Sequence, residues 1–257
     1  MAAPALPPGS PALAWRVEWL DVAGSTNDLL LERARRGEAE GLVIAARSQL
    51  RGRGRRGRAW HSPPGAGLYF SALLRPPKPP AEARLLTLLA GVAAAEGLSS
   101  LAGPPVGLKW PNDLRVHRKK LGGILCEYEP QGGPPPAVVA GVGVNLTGEE
   151  TDFPAEIRGR ATSLRLAGKA APEAEETLSL LLRHLDFWYK VFLNTGFEPV
   201  RTRWMELCDN LGEEAAVSAE GETLRGKVAG IDGSGRLLLQ GAEGRLLRAE
   251  AGEVIET

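Results

Sequence analysis

The stretch Gln49-Leu-Arg-Gly-Arg-Gly-Arg-Arg-Gly-Arg-Ala-Trp60 is the part of the sequence that organises the rest of the chain. Its eight positions from Arg51 to Arg58 hold five arginines and three glycines. Glycine lacks a Cβ atom and permits positive φ, so the backbone can fold closely around a ligand. Arginine supplies a planar, permanently charged group that matches carboxylate and phosphate oxygens. By itself, the stretch fits an anion-binding loop, a solvated basic loop or a nucleic-acid-binding tract.

The overall charge argues against general binding of polyanions. The 257 residues carry 31 Lys+Arg and 31 Asp+Glu, whereas a general polyanion binder usually has a basic excess. The arginine stretch is therefore a local concentration of charge in a neutral protein. Lysine is rare, with seven in the chain, and three of the seven lie between Lys109 and Lys120.

Two apolar segments enclose the arginine stretch. Residues 42–46 (LVIAA) predict a short buried strand before it, and residues 67–74 (GLYFSALL) predict another strand after it. A loop held between two core strands is placed by the fold and is not free to wander. This arrangement favours a binding site over a disordered nucleic-acid tail.

The other elements follow from periodicity and turn residues. Residues 15–22 predict a strand, and a helix follows in which Ser25 or Thr26 is the N-cap and Gly37 ends the helix. Plain capping is therefore the ordinary explanation of Ser25-Thr26-Asn27. Further strands are predicted at 106–110, 114–116, 119–129 and 137–145, and further helices at 81–98, 173–195 and 197–207.

The composition predicts three regions. Residues 1–14 contain four prolines and no basic residue, so they predict a disordered lead and not a signal peptide. Residues 15–209 form the main domain. Residues 210–257 contain short strands separated by glycine turns, which predicts a small separate β-barrel.

Two further features bear on location and redox chemistry. The longest nearly apolar run, residues 85–95, is too short to span a membrane, so we expect a soluble, cytoplasmic protein. Cys126 and Cys208 are far apart and have no partner at metal-ligand spacing. Two buried free thiols are therefore expected.

The rare residues predict where the site is. Asn27, Asn112 and Asn145 each lie at a strand end or turn, and Lys109 and Lys120 flank a Pro-Asn-Asp turn. In a continuous sheet, these segments and the arginine stretch could converge on one face. The resulting pocket would suit a small ligand with a planar polar head and a negative end, beside a second anion such as a nucleotide phosphate. Two anions repel each other, so flanking cations are needed.

Taken together, five motifs in this order resemble the biotin protein ligase family. They are Ser-Thr-Asn (25–27), Gln49 with Gly-Arg-Gly-Arg-Arg-Gly-Arg (52–58) and Trp60, Lys-Trp-Pro-Asn-Asp (109–113), Lys-Leu-Gly-Gly-Ile-Leu (120–125) and Gly-Val-Gly-Val-Asn (141–145). The resemblance implies an α+β fold: a class II aminoacyl-tRNA synthetase-like catalytic domain with a mixed sheet, plus a small C-terminal SH3-like β-barrel. Some family members carry an N-terminal DNA-binding domain. About 14 residues before the first strand are too few for a helix-turn-helix, so no DNA partner is expected.

The resemblance also implies a role for each matching residue. The residues implied to contact biotin are Ser25, Thr26, Asn27, Gln49, Arg53, Gly54, Arg55, Lys120, Gly122 and Gly123. Those implied to contact ATP are Arg58, Trp60, Lys109, Asn112, Asp113 and Asn145. Lys120, Arg55 and Arg58 are the implied catalytic cations, and Asn112, Asp113 and Asn145 would orient ATP with its Mg²⁺ ion. No metal site made by the protein alone is expected.

The implied reaction has two steps. Biotin is activated with ATP to biotinyl-AMP, and a lysine of a biotin carboxyl carrier protein, as in acetyl-CoA carboxylase, then takes the biotinyl group. The main alternative is a lipoate or octanoate ligase of the same fold, and a nonenzymatic nucleic-acid binder is the alternative from another class. Sheet-edge homodimers are common in the family, so a homodimer is a further candidate assembly; no membrane association is expected.

Overall fold

The computed structural model describes residues 13–77, 83–130, 135–219 and 222–256. The predicted N-terminal lead lies almost wholly outside these residues, as do most of the predicted loop at 131–136 and the start of the predicted helix at 81–98.

The larger unit is a seven-stranded mixed sheet with the strand order β1-β2-β3-β7-β6-β5-β4. Only the pair β1 and β2 is parallel, and the other neighbours are antiparallel. The strands are β1 (Arg16–Leu20), β2 (Leu42–Ala46), β3 (Gly67–Leu74), β4 (Gly107–Lys109), β5 (Asp113–Val116), β6 (Lys119–Glu129) and β7 (Ala137–Asn145).

Helices cover both faces of this sheet. The helices are α1 (Thr26–Arg35), α2 (Arg84–Ser99), α3 (Ala174–Thr195) and α4 (Glu198–Leu207). The apolar side of α1, including Leu30 and Ala34, packs on Ile44 and Val139 of one face. The larger core lies on the opposite face, against α2 and α3. Two covered faces explain why β2, β3 and β7 are buried along their whole length and mostly apolar, without alternation.

Strand β7 shows how this arrangement makes room for a site. Successive residues of a strand point to opposite faces. Ala137 and Val139 pack against α1, while Val138 and Ala140 belong to the opposite core. Further along the α1 side, the strand carries Gly141 and Gly143 and no large side chain. The core of that face ends there, and a cavity begins.

The C-terminal residues form a five-stranded antiparallel sheet with the order β11-β10-β9-β8-β12. Its strands are β8 (Glu214–Ala219), β9 (Glu222–Ile231), β10 (Leu237–Gln240), β11 (Leu246–Ala249) and β12 (Glu253–Glu256). Trp110 Nε1 donates a 3.1 Å hydrogen bond to the Gly235 carbonyl, which attaches this sheet to the main unit. The predicted fold class is confirmed.

The structure refines several expectations. Strand β1 is shorter than the predicted 15–22, and helix α2 ends at Ser99. His184 lies beside Glu96, with 3.8 Å between His184 Nδ1 and the carboxylate, in a helix-packing contact. Both cysteines are free. In the described part of the chain, no helix has both the length and the apolarity to span a membrane.

Candidate active site

A cavity of about 590 Å³ opens on the α1 side of the large sheet. The structure brings nearly all of the predicted site residues to its lining. They are Ser25, Thr26, Asn27, Gln49, Arg53, Gly54, Arg55, Arg58, Trp60, Lys109, Asn112, Asp113, Lys120, Gly123 and Asn145. Gly122 does not line the cavity.

The N-terminus of α1 forms one end of the cavity. Ser25 is its N-cap, and its hydroxyl accepts a 3.4 Å hydrogen bond from the Asp28 amide. Gln49 Oε1 accepts a 2.9 Å hydrogen bond from the Thr26 amide. The Thr26 and Asp28 amides belong to the first turn of α1. Backbone amides there have no partner within the helix and need one outside it. Capping and cavity lining are therefore properties of the same residues, and the two explanations of Ser25-Thr26-Asn27 do not compete.

Asn27 lies across a row of three neighbouring strands. Ser71, Gly141 and Leu125 are paired side by side on β3, β7 and β6. Asn27 Oδ1 accepts a 2.5 Å hydrogen bond from the Ser71 hydroxyl, and Nδ2 donates to the Leu125 carbonyl at 3.1 Å. A Cβ added at Gly141 would lie 2.1 Å from Asn27 Oδ1. Glycine at 141 is what allows the amide to lie on the sheet.

The arginine stretch folds into a compact loop. The Trp60 amide donates to the Gly52 carbonyl at 2.8 Å, and the Gly54 amide donates to the Arg58 carbonyl at 2.7 Å. A Cβ at Gly52 would lie 2.5 Å from the Trp60 carbonyl oxygen, so this close crossing requires glycine. Arg56, at the tip, has φ 56, a left-handed conformation uncommon outside glycine.

The arginine side chains attach the loop to both sheets. Arg53 forms ion pairs with Asp28, at 2.9 Å, and with Glu127. Arg58 forms a fork on Glu253 of β12, with 2.8 Å from one guanidinium nitrogen to Oε1. The hydrogen bonds from Arg58 lower the pKa of Glu253. The same pair raises the pKa of Arg58.

Arg55 is held differently. It donates a 3.4 Å hydrogen bond to the Gly252 carbonyl. Burial lowers the pKa of the Arg55 guanidinium, and the positive charge of Arg56 lowers it further. Arg55 is half-buried and forms no salt bridge with any of the described residues, so its guanidinium is suited to take an anionic partner.

Lys120 lies in the middle of the cavity lining. Its ammonium is 2.6 Å from the Asp113 carboxylate and 5.4 Å from the centre of the Trp60 ring, over its face. Its backbone is fixed as well, since its amide donates to the Arg160 carbonyl at 2.7 Å. Lys120 pairs with Arg115 of β5, and the register of β5 and β6 shifts between this pair and the next one, Leu114 with Gly122.

The floor beneath these side chains is glycine backbone. Gly123 and Gly143 face each other on β6 and β7, and a Cβ at Gly143 would lie 2.6 Å from Trp60 Nε1. That indole nitrogen is buried and has no hydrogen-bond partner among the described residues. Gly122 belongs to the other face: its added Cβ would meet the Gly143 carbonyl at 2.6 Å and Leu114 at 3.0 Å. Gly122 therefore packs against the opposite face and not along the cavity, because successive strand residues face opposite ways, and its implied contact with biotin stays a prediction.

The two other asparagines are oriented by their amide nitrogens. Asn112 Nδ2 donates to the Ile124 carbonyl at 2.9 Å, and Asn145 Nδ2 donates to the Thr162 carbonyl at 2.9 Å. Lys109 pairs with Asp113 across β4 and β5. No group of three or more His, Cys, Asp or Glu side chains in the described ranges could hold a metal ion.

Sequence reasoning missed several contributors to the site. Ser71 is fully buried under Asn27, and Glu127 contacts both Asn27 and Arg53. Gly252 and Glu253 reach the arginine loop from the C-terminal sheet. The sequence signals for these contributors were Ser71 in β3 and Glu127 in β6, which lie on the α1 side of the sheet. A buried polar side chain at such a position requires a polar partner.

Comparison with known proteins finds two family models that match this chain. Residues 19–145 match the Biotin/lipoate A/B protein ligase family, and residues 211–255 match the Biotin protein ligase C terminal domain. A "Biotin--[acetyl-CoA-carboxylase] ligase" of Mycobacterium tuberculosis is 36% identical over 250 residues, which cover 94% of this chain and 89% of that protein. A "Bifunctional ligase/repressor BirA" of Bacillus spizizenii is 35% identical, over 87% of this chain and 69% of that protein.

A solved structure shows the same fold. The "Biotin protein ligase from Aquifex aeolicus in complex with biotin and ATP" superposes with a TM-score of 0.81 at 30% identity, covering 94% of this chain and 99% of that chain.

Proposed function

The chain belongs to the biotin protein ligase family, and from this premise we propose how its cavity carries out the reaction. The protein is an ATP-dependent ligase whose substrates are biotin and ATP. Its acceptor is a carboxyl carrier protein, the biotinylated part of acetyl-CoA carboxylase. The observation that carries the residue-level proposal is the convergence of five separate motifs on one cavity.

The α1 end of the cavity is the proposed biotin site. Its ureido ring is planar and polar and needs both donors and acceptors. Asn27, Thr26 and Gln49 supply amide and hydroxyl groups there. The Gly123–Gly143 floor, which the Trp60 indole covers in this structure, would admit a flat ring once the indole moves aside. Arg53, Gly54 and Arg55 of the loop would cover the valeryl chain and its carboxylate. Ser25 would act through its cap of α1.

The opposite part of the cavity is the proposed ATP site. Trp60 offers an aromatic face for adenine, and Arg58 and Lys109 offer cations for phosphates. Mg²⁺ would enter with ATP as part of that substrate. Such an ion needs only one or two protein carboxylates besides the phosphate oxygens, and Asp113 with the amide oxygens of Asn112 and Asn145 fits that donor set.

In the first step, a biotin carboxylate oxygen attacks the α-phosphorus of ATP, and the bond to the bridging oxygen of pyrophosphate breaks. Both reactants are anions, so their approach is unfavourable without cations. Lys120 is the proposed central cation, with Arg55 and Arg58 on the side of the loop. For Lys120 to hold the carboxylate and the α-phosphate together, its ion pair with Asp113 must loosen. The products are biotinyl-AMP and pyrophosphate.

In the second step, the neutral amine of an acceptor lysine attacks the acyl carbon of biotinyl-AMP. The C–O bond to phosphate breaks, AMP leaves, and the amine loses a proton to give an amide. No covalent enzyme intermediate is needed. Positioning and charge stabilisation are the contributions that this cavity makes.

Biotin-dependent exchange of pyrophosphate into ATP tests the first step and the specificity. We expect exchange with biotin and only background with lipoate or octanoate. Exchange with lipoate or octanoate but none with biotin would overturn the specificity. A homodimer through a sheet edge is a further proposal, since β1 is an edge strand, and sedimentation velocity tests it.

A further inference from the structure

Glu127 lies outside all five motifs, and we propose that it is a positioning residue that latches the arginine loop and aims the Asn27 amide at the same time. We call the contact among Glu127, Asn27 and Arg53 the latch. The proposal rests on the proposed function, because it assigns the latch to the biotin end of the cavity.

The first half of the latch fixes Asn27. Glu127 Oε2 accepts a 2.8 Å hydrogen bond from Asn27 Nδ2. On the other side of the same amide, Ser71 donates to Oδ1. Donor and acceptor sides therefore have different partners, and the amide has one orientation. A carboxylate is a stronger acceptor than the Leu125 carbonyl that shares Nδ2.

The second half of the latch holds the loop. The same Glu127 Oε2 accepts from the Arg53 guanidinium, which also contacts Asp28 at 2.9 Å. The Arg53 and Glu127 side chains are 37% and 25% exposed, so water weakens the pair without abolishing it. Arg55 and Arg58 attach the second half of the loop to Gly252 and Glu253, while Gln49 at the start of the loop binds the Thr26 amide of α1. Glu127 therefore anchors the first half of the loop to the main sheet.

The sharing of one carboxylate oxygen couples the two halves. When the loop opens, Arg53 separates from Glu127. The carboxylate that accepts from Asn27 then loses the cation that balances its charge. When the loop closes, the amide and the loop are ordered together. Closure and preparation of the biotin site are thus one event, which keeps the site from being half formed.

Four variants test the latch. Glu127→Gln keeps an amide oxygen for Asn27 but loses the charge for Arg53, whereas Glu127→Ala removes both contacts. Arg53→Gln leaves the contact of Glu127 with Asn27 and removes the ion pairs of Arg53 with Glu127 and Asp28. Glu18→Gln is the matched control, since Glu18 pairs with Arg33 at 3.2 Å on the exposed surface away from the cavity.

The first readout requires no substrate: the rate of trypsin cleavage after Arg56, followed by mass spectrometry. We expect Glu127→Gln and Arg53→Gln to raise it about tenfold each, since hydrogen bonds to charged groups are worth about that much. The double variant that combines Arg53→Gln with Glu127→Gln should be cleaved no faster than Arg53→Gln alone. Unchanged cleavage, or effects that simply multiply in the double variant, would overturn the latch.

The second readout is the KM for biotin in pyrophosphate exchange. Glu127→Ala should raise it about tenfold or more, because the Asn27 amide loses its charged acceptor and keeps the Leu125 carbonyl, with kcat within about twofold. A lower kcat at unchanged KM, or a KM equal to that of Glu18→Gln, would overturn the positioning role. If the wild-type protein shows no biotin-dependent exchange, the proposed function fails, while the cleavage data still decide whether the latch exists. Arg53→Gln gives the loop result if Glu127 variants do not fold.

Discussion

Replacement of Gly141 by alanine tests the packing of Asn27 on the sheet. The added Cβ would lie 2.1 Å from Asn27 Oδ1 and 2.8 Å from its Cγ. An ordinary C···O contact needs roughly 3.3 Å, so the amide must move by roughly 1.2 Å. It cannot do so freely, because Ser71, Leu125 and Glu127 all bind it.

The cost has two parts. Overpacking of a filled region costs about 1–3 kcal/mol, and each hydrogen bond lost from the amide costs about 0.5–1.5 kcal/mol. We therefore expect Gly141→Ala to lower the free energy of unfolding by about 2–4 kcal/mol. Because the amide that it displaces belongs to the proposed biotin site, the Kd for biotin should rise about tenfold or more.

Urea unfolding and isothermal titration with biotin measure the two effects. Gly233→Ala is the control: no heavy atom lies within 4 Å of its added Cβ, so its stability should change by less than about 0.5 kcal/mol. If Gly141→Ala unfolds like Gly233→Ala and binds biotin like the wild type, Asn27 is not packed on Gly141 as described, and the reasoning fails.

Three further predictions concern other parts of the molecule. Lys120→Gln removes the central cation, and we expect pyrophosphate exchange to fall at least about 100-fold with little change in melting temperature; exchange within about threefold of wild type would exclude the role. Arg55→Gly should release biotinyl-AMP and label bystander lysines of an added protein, and unchanged selectivity on a blot would count against retention by Arg55. Burial alone would raise the pKa of Glu96, but the nearby His184 ring and the hydrogen bonds from Trp188 and Arg203 lower it to about 2. Its contribution to stability, about 3 kcal/mol, should be full above its ordinary pKa of 4.5 and lost as the pH falls toward 2. The stability of Glu96→Gln should therefore fall less steeply than that of the wild type as the pH drops from 4.5 toward 2, and acid unfolding measures this difference.

The sequence predicted the site well where rare residue types mark it. Lysine and asparagine are scarce in this chain, so Lys120, Asn112 and Asn145 stood out, and each of them lines the cavity. The two strands that enclose the arginine loop were predicted at residues 42–46 and 67–74, and the structure has them there. Buried strands read as continuous apolar runs, which makes this signal strong.

The sequence failed where contacts span long separations. Glu253 reaches Arg58 across 195 positions, and no periodicity connects a C-terminal strand to a loop near the start of the chain. Glu127 is one of two acidic residues on β6, and the pairing of β6 with β7 puts it under Asn27. Gly122 was assigned to the cavity with Gly123, although neighbouring strand residues face opposite sides.

The central claim is that one cavity joins biotin to ATP before the acceptor arrives. A single-turnover reaction of the enzyme with biotin and α-labelled ATP, quenched and separated without acceptor protein, tests it most directly. The account predicts about one labelled biotinyl-AMP per chain, and subsequent addition of a carboxyl carrier protein should convert it to AMP and biotinylated acceptor. No labelled biotinyl-AMP from folded enzyme, with biotin still reaching the acceptor, would contradict the account.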